Sequence, residues 1–188
     1  MSPKSTAILT EPHPCGHIVY PYTDERHAVE AVALFAGSGL ENDEGVIIIA
    51  TESHCELVKH RLQSKGFDMK RLQQTNQFIC AVAQDVLARF MVDGMPDPDL
   101  FRATVDQLIE KARKSPGNAP RRRIRLFGEM VSLLWRVDVL AAARLEELWN
   151  QAIAEHSVSL LCAYALDRGR YGYLPDALVD AHSHSLEA

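Results

Sequence analysis

Glu129 is the residue whose setting most strongly implies chemistry. It stands between an apolar strand-like run (Ile124, Leu126, Phe127) and an apolar helical turn (Met130, Val131, Leu133, Leu134, Trp135), so its carboxylate is expected to be withdrawn from water. A buried carboxylate needs a partner. A bound molecule could supply it, as could Arg26 or His27, or the carboxylate could cap its own helix. Other polar side chains fall where strands are expected to end. Tyr22, Thr23, Asp24, Arg26 and His27 follow the first strand, Thr51, Glu52 and His54 the second, Gln84 and Asp85 the third, and Tyr164 closes the fifth. In a parallel sheet these ends share one edge, and ligands bind in the crevice beyond it. Each residue also has a plainer reading as a helix cap or a solvated turn residue.

Several chemistries lack their motifs. The phosphate loop GxxxxGK[ST] is absent, because no glycine in the chain is followed by lysine. Where that loop would stand, residues 21–27 read Pro-Tyr-Thr-Asp-Glu-Arg-His, and two carboxylates there repel phosphate. Gly37-Ser38-Gly39 closes a helix instead of opening one. ATP hydrolysis is therefore not expected. There is no G-x-S-x-G elbow and no H-E-x-x-H, so no catalytic residue is assigned. Eight histidines and four cysteines include the near pairs Cys15/His17 and His182/His184, but their spacings match no structural zinc pattern, and neither metal nor cofactor is expected. The run Arg121-Arg122-Arg123-Ile124-Arg125 reads as a solvated strand start or as a surface for an acidic partner.

Composition narrows the class. The chain has 188 residues and a net charge of −5, from 25 acidic against 20 basic side chains. That is one globular domain by length, without the basic face of a nucleic-acid or membrane-surface binder. Neither a membrane helix nor a secretory leader is legible, and scattered cysteines without a CxxC pair read as reduced, buried thiols in the cytoplasm.

The elements that must position these residues alternate. Residues 17–22, 46–50, 78–82, 122–127 and 157–164 read as strands, the second apolar throughout as in a sheet covered on both faces. Helices are expected after Thr23, after Thr51 up to Gly66, over 85–91, around Phe101, Val105, Leu108 and Ala112, as a short turn over 128–135, and after Asp138. A loop is expected at 115–120. The pattern implies βαβ units: a three-layer αβα domain around a mainly parallel sheet of about five strands. The expected organisation is an arm at 1–15, the domain at 16–166 and a segment or helix at 167–188.

With the strands and helices placed, certain segments resemble a known family. They are His17-Ile18-Val19-Tyr20-Pro21-Tyr22, Leu87-Ala88-Arg89-Phe90-Met91 with Pro96-Asp97-Pro98, residues 126–135 (Leu-Phe-Gly-Glu-Met-Val-Ser-Leu-Leu-Trp), Leu145-Glu146-Glu147-Leu148-Trp149-Asn150, and Leu160-Leu161-Cys162-Ala163-Tyr164. Together they resemble the MEDS domain, the methanogen/methylotroph sensory domain typified by the dichloromethane-responsive regulator DcmR. The resemblance implies a RecA/KaiC-like fold with a degenerate phosphate loop. It also implies sensing of small molecules such as hydrocarbon derivatives, in proteins where the domain is fused to DNA-binding or kinase regions.

The chain departs from that pattern in having no room for such a module, so its output is expected to pass to a regulatory protein in trans, with no direct contact to nucleic acid and with homo-oligomerisation open. Residues expected to bind ligand are His17, Tyr20, Tyr22, Thr51, Glu52, Glu129, Trp135 and Tyr164. The surfaces expected to face a partner are the helix with Glu146, Glu147 and Asn150, the arginine run, and residues 174–186. The alternatives are a weak nucleotide-binding enzyme and a ligand-free scaffold.

Overall fold

The computed structural model describes residues 1–114, 121–167, 169 and 171–186, so the expected loop at 115–120 lies outside the described residues. In chain order the elements are α1 (Pro3–Thr10), β1 (His17–Tyr22), α2 (Glu25–Glu41), β2 (Gly45–Ala50), α3 (Glu52–Ser64), α4 (Met69–Gln74), β3 (Phe78–Val82), α5 (Ala83–Leu87), β4 (Met91–Val92), β5 (Met95–Pro96), α6 (Pro98–Arg113), β6 (Ile124–Gly128), α7 (Met130–Leu134), α8 (Val139–His156), β7 (Ser159–Ala165), α9 (Asp176–Val179) and β8 (His184–Ser185).

The helix boundaries follow from cap chemistry. Thr51 caps α3 through its side chain, Asp138 caps α8, and Gly66 accepts the left-handed turn after α3 at φ +96°. At α2 the cap is Asp24 instead of the expected Thr23. Its Oδ1 accepts the N–H groups of Arg26 (2.8 Å) and His27 (3.1 Å).

Six strands form one parallel sheet in the order β3-β2-β6-β7-β1-β8, and β4 and β5 make a separate antiparallel hairpin. Strand alternation sends Val19, Ile47, Ile49, Leu126, Leu160, Cys162 and Tyr164 toward α5, α6, α7 and α8. The opposite parity, Ile18, Tyr20, Tyr22, Val46, Ile48, Phe127 and Leu161, packs on α1, α2 and α3. The result is three layers, as the sequence predicts. On α6 the buried stripe Phe101, Val105, Ile109 and Ala112 shows how a helix is held, since each large apolar side chain withdrawn from water contributes roughly 1.5–3 kcal/mol.

Three expectations change. Residues 3–10, expected within an arm, form a helix whose Leu9 is fully buried against α2. The segment after 167 packs on the domain through Leu174, Leu178 and Leu186, which are buried, and β8 adds a sixth strand beside β1, while Tyr173 and Val179 stay exposed. The thiols expected to be reduced include a disulfide, Cys55–Cys80, which ties α3 to β3 with Cα atoms 6.2 Å apart. Disulfides are rare in reducing compartments, so the cysteines give no support to a cytoplasmic reading. Among the described residues no helix is long and apolar enough to cross a membrane.

Candidate functional site

The chain runs outward from β2 to β3 on one side and from β6 to β7 on the other, so β2 and β6 flank the topological switch point of the sheet. Helices leaving these two strands go to opposite faces, and a crevice opens between their first turns. Here that crevice has a volume of about 490 Å³ and is lined by the polar residues Tyr22, Glu25, Thr51, His54, Glu129 and Arg136 and by the apolar Leu133 and Val137.

Glu129 is its fixed point. The residue is 5% exposed, and its N–H bonds Ile49 O on β2 at 2.9 Å. One carboxylate oxygen accepts the Thr51 N–H at 3.0 Å, and the other is bonded to His54 Nδ1. His54 Nε2 bonds Glu25 Oε1 at 2.8 Å. Both ring nitrogens thus face carboxylate oxygens, an arrangement that suits the imidazolium, which donates from both. The Glu129 hydrogen bond, opposed by burial and helped by Glu25, raises the His54 pKa to about 8. Burial first, and then the charges of Glu129 and Glu25, push the Tyr22 hydroxyl well above its usual range. Arg136 donates to Ala165 O at 2.6 Å, with its guanidinium over the Tyr171 ring. The crevice offers a molecule charged, hydrogen-bonding groups and two apolar side chains. With two carboxylates in it, and Asp24 already filling the N-terminus of α2, it is unsuited to phosphate.

Residues 16–181 match the family model described as MEDS, MEthanogen/methylotroph, DcmR Sensory domain. The chain belongs to the MEDS family. No curated protein matches it. The match takes in α9 and ends at residue 181, within the segment 167–188.

Of the eight residues expected to bind ligand, this MEDS domain brings Tyr22, Thr51 and Glu129 together in the crevice. Tyr20 is buried beside Tyr22 on the α2 face, with ring centroids 6.0 Å apart. Glu52 is exposed on the first turn of α3. Trp135 packs edge-on against Tyr164 and Tyr171 in the opposite core. His17 and Tyr164 lie below the sheet edge, both against Glu146. The expected partners of Glu129 are also revised: Arg26 and His27 are exposed on α2, and Glu129 makes no side-chain cap of α7. His54 takes that place because β2 lies next to β6.

The MEDS domain has two further polar groups. At the opposite edge of the sheet, a groove of about 620 Å³ is lined by Arg121, Arg122, Arg123 and Arg125 with Asp43 and Glu44. Its arginines are committed: Arg122 and Arg125 are buried on backbone carbonyls, and Arg121 and Arg123 pair with Glu110 and Glu44. Of the expected solvated or partner-facing arginine run, Arg122 and Arg125 are structural, while Arg121 and Arg123 remain exposed. The second group, which no local spacing announces, comprises His17, Glu146, Cys162 and His182, whose ligating atoms lie within 4.8 Å of one another. Glu146 is 1% exposed, so the helix face expected to meet a partner through it turns inward at that residue.

Proposed function

We propose that this MEDS domain is a non-catalytic sensor that binds a small organic molecule in the switch-point crevice and reports occupancy to a regulatory protein. The observation that carries the reading is the buried Glu129–His54 pair facing a cavity of about 490 Å³ that Leu133 and Val137 also line. A charged pair retained in a cavity, where filling by apolar side chains is often neutral or stabilising, favours a binding role. Such a site suits a short hydrocarbon derivative with one polar group, which would sit on the His54–Glu129 pair. Val137, which lines the crevice and is 86% exposed, gives it an apolar rim residue through which a partner in trans could read the bound state.

The test is a thermal-shift screen of short-chain alcohols, amines, carboxylates and haloalkanes against the wild-type chain and Glu129→Gln. At least one chemical class should raise the wild-type melting temperature and leave the variant unmoved. ATP with magnesium should show no binding tighter than about millimolar in calorimetry. Micromolar nucleotide affinity, or equal shifts in both proteins, would overturn the reading.

A further inference from the structure

His17 opens β1, Cys162 lies on the adjacent strand β7 and faces the same side of the sheet, Glu146 comes down from α8, and His182 follows α9. Two imidazoles, a thiol and a carboxylate from four separate segments therefore meet where almost no solvent reaches. The side chains of His17, Glu146 and His182 are 3%, 1% and 0% exposed.

Hydrogen bonds fix the tautomer of both rings. Asn150 donates its Nδ2 to Ala181 O at 3.0 Å, which turns its Oδ1 toward His17 Nδ1 at 2.9 Å. His182 Nδ1 lies 2.7 Å from Leu178 O. An amide oxygen and a backbone carbonyl only accept, so each Nδ1 carries a proton and each Nε2 points inward. This outer arrangement is the one that orients metal-ligating histidines.

The inward atoms lack a sufficient set of donors among themselves. His17 Nε2 is 3.2 Å from Glu146 Oε2 and 3.4 Å from Cys162 Sγ, and Cys162 Sγ is 3.9 Å from Glu146 Oε2. His182 Nε2 is 3.3 Å from Glu146 Oε1, yet among the described residues it has no hydrogen-bond partner. If both rings were protonated, two cations would stack with centroids 4.0 Å apart in the core. If both were neutral, bare lone pairs would face a carboxylate, and if one alone were protonated the other would have only the Cys162 thiol, 3.4 Å from His17 Nε2, to donate to it. One divalent ion resolves these conflicts.

We infer that His17, Glu146, Cys162 and His182 form a closed, four-ligand site for a divalent cation of the zinc class. A tetrahedral ion holding nitrogen and oxygen at about 2.0–2.1 Å and sulfur at about 2.3 Å spaces its ligands roughly 3.3–3.7 Å apart. The pairs at 3.2, 3.3 and 3.4 Å are close to that, and the wider ones, all within 4.8 Å, must draw in on loading. The mixed nitrogen, sulfur and oxygen set selects zinc over magnesium or calcium. Thiolate and carboxylate together balance the ion's two charges, and on loading the thiol proton and any Nε2 proton leave to solvent. Tyr164, hydrogen-bonded to Glu146, orients the carboxylate from outside. With four protein ligands and no open position the ion is structural, and through His182 it fastens the segment carrying α9 and β8 to the sheet.

The full chain should be purified from zinc-supplemented cells and, separately, from cobalt-supplemented cells. Elemental analysis should find about one ion per chain. The cobalt form should show the intense visible bands of a tetrahedral centre and a thiolate-to-cobalt charge-transfer band in the near ultraviolet. Cys162→Ser should lose that charge-transfer band and His182→Ala should lose the ion, while Cys15→Ser, which removes the other free thiol, should change neither. If the Cys162 and His182 variants misfold, the wild-type and Cys15→Ser spectra decide together, because Cys55 and Cys80 are already paired and Cys15 is the other free thiol. A folded wild-type chain that carries no ion, even after refolding in excess zinc, would overturn the inference. So would a cobalt spectrum without a thiolate band, or one abolished by Cys15→Ser.

Discussion

Glu129, at the carboxyl end of β6, and His54, in the first turn of α3, are joined by a carboxylate–imidazole bond across the switch point of the sheet. This pairing makes stability depend on pH in a definite direction. The folded His54 pKa of about 8 lies above its unfolded value near 6.5. The contribution is therefore fully present below about pH 6.5 and is lost as pH rises through about 8. Allowing for partial solvent screening, it amounts to about 1–2 kcal/mol. Urea unfolding at about pH 6 and about pH 9 should show the wild type losing that much relative to Glu129→Gln. An equal pH dependence in the two proteins would show that Glu129 does not hold the proton on His54.

Arg125 is the strongest structural commitment at the opposite edge. It pairs with Glu44 and donates to Leu9 O (3.0 Å), Phe35 O (3.1 Å), Ser38 Oγ (2.8 Å) and Thr10 O (3.0 Å), joining β6, α1 and α2. Gly39 makes room for it, since a Cβ there would lie 2.8 Å from Arg125 Cδ. Arg125→Met should cost about 3–5 kcal/mol in chemical denaturation, because it strands a buried carboxylate and several carbonyls. A loss below about 1 kcal/mol would contradict this role.

The Cys55–Cys80 bond closes a loop with a sequence separation of 25 and fixes the helix that carries His54. Loop-closure entropy puts its contribution at about 3.5 kcal/mol. Cys55→Ala/Cys80→Ala should lower stability by about that amount, and reductant should destabilise the wild type but not the double variant. Indifference of the wild type to reductant would show that the tie is dispensable.

Much of the fold was legible because local chemistry sets it. The apolar run at 46–50, the caps Thr51 and Asp138, and Gly66 act within a few residues of themselves. Strand order is not local. Glu129 could be read as buried, but its partner could not be chosen from sequence, because nothing there says that β2 lies beside β6 and delivers His54. The cluster at Glu146 stayed hidden for the same reason, its four residues belonging to four segments. The β4–β5 hairpin had one local signal, Asp93-Gly94 at φ 49° and 82°, but strands of two residues are too short to show alternation. The apolar stretch Ala7-Ile8-Leu9 and the single Leu186, near the chain ends, are too brief to show a period, and their packing is visible only in the fold.

Chemical-shift mapping tests the central claim, that the switch-point crevice is where this MEDS domain binds its signal. Backbone and methyl resonances of the full chain would be followed while short-chain alcohols, amines, carboxylates and haloalkanes are added, with ATP and magnesium as the comparison. The account predicts that the active class moves Thr51, Ser53, His54, Ser132, Leu133 and Arg136 together, that Glu129→Gln removes the response, and that nucleotide moves none of them. Shifts gathered instead at the arginine-lined groove, or a nucleotide response at the crevice, would contradict it.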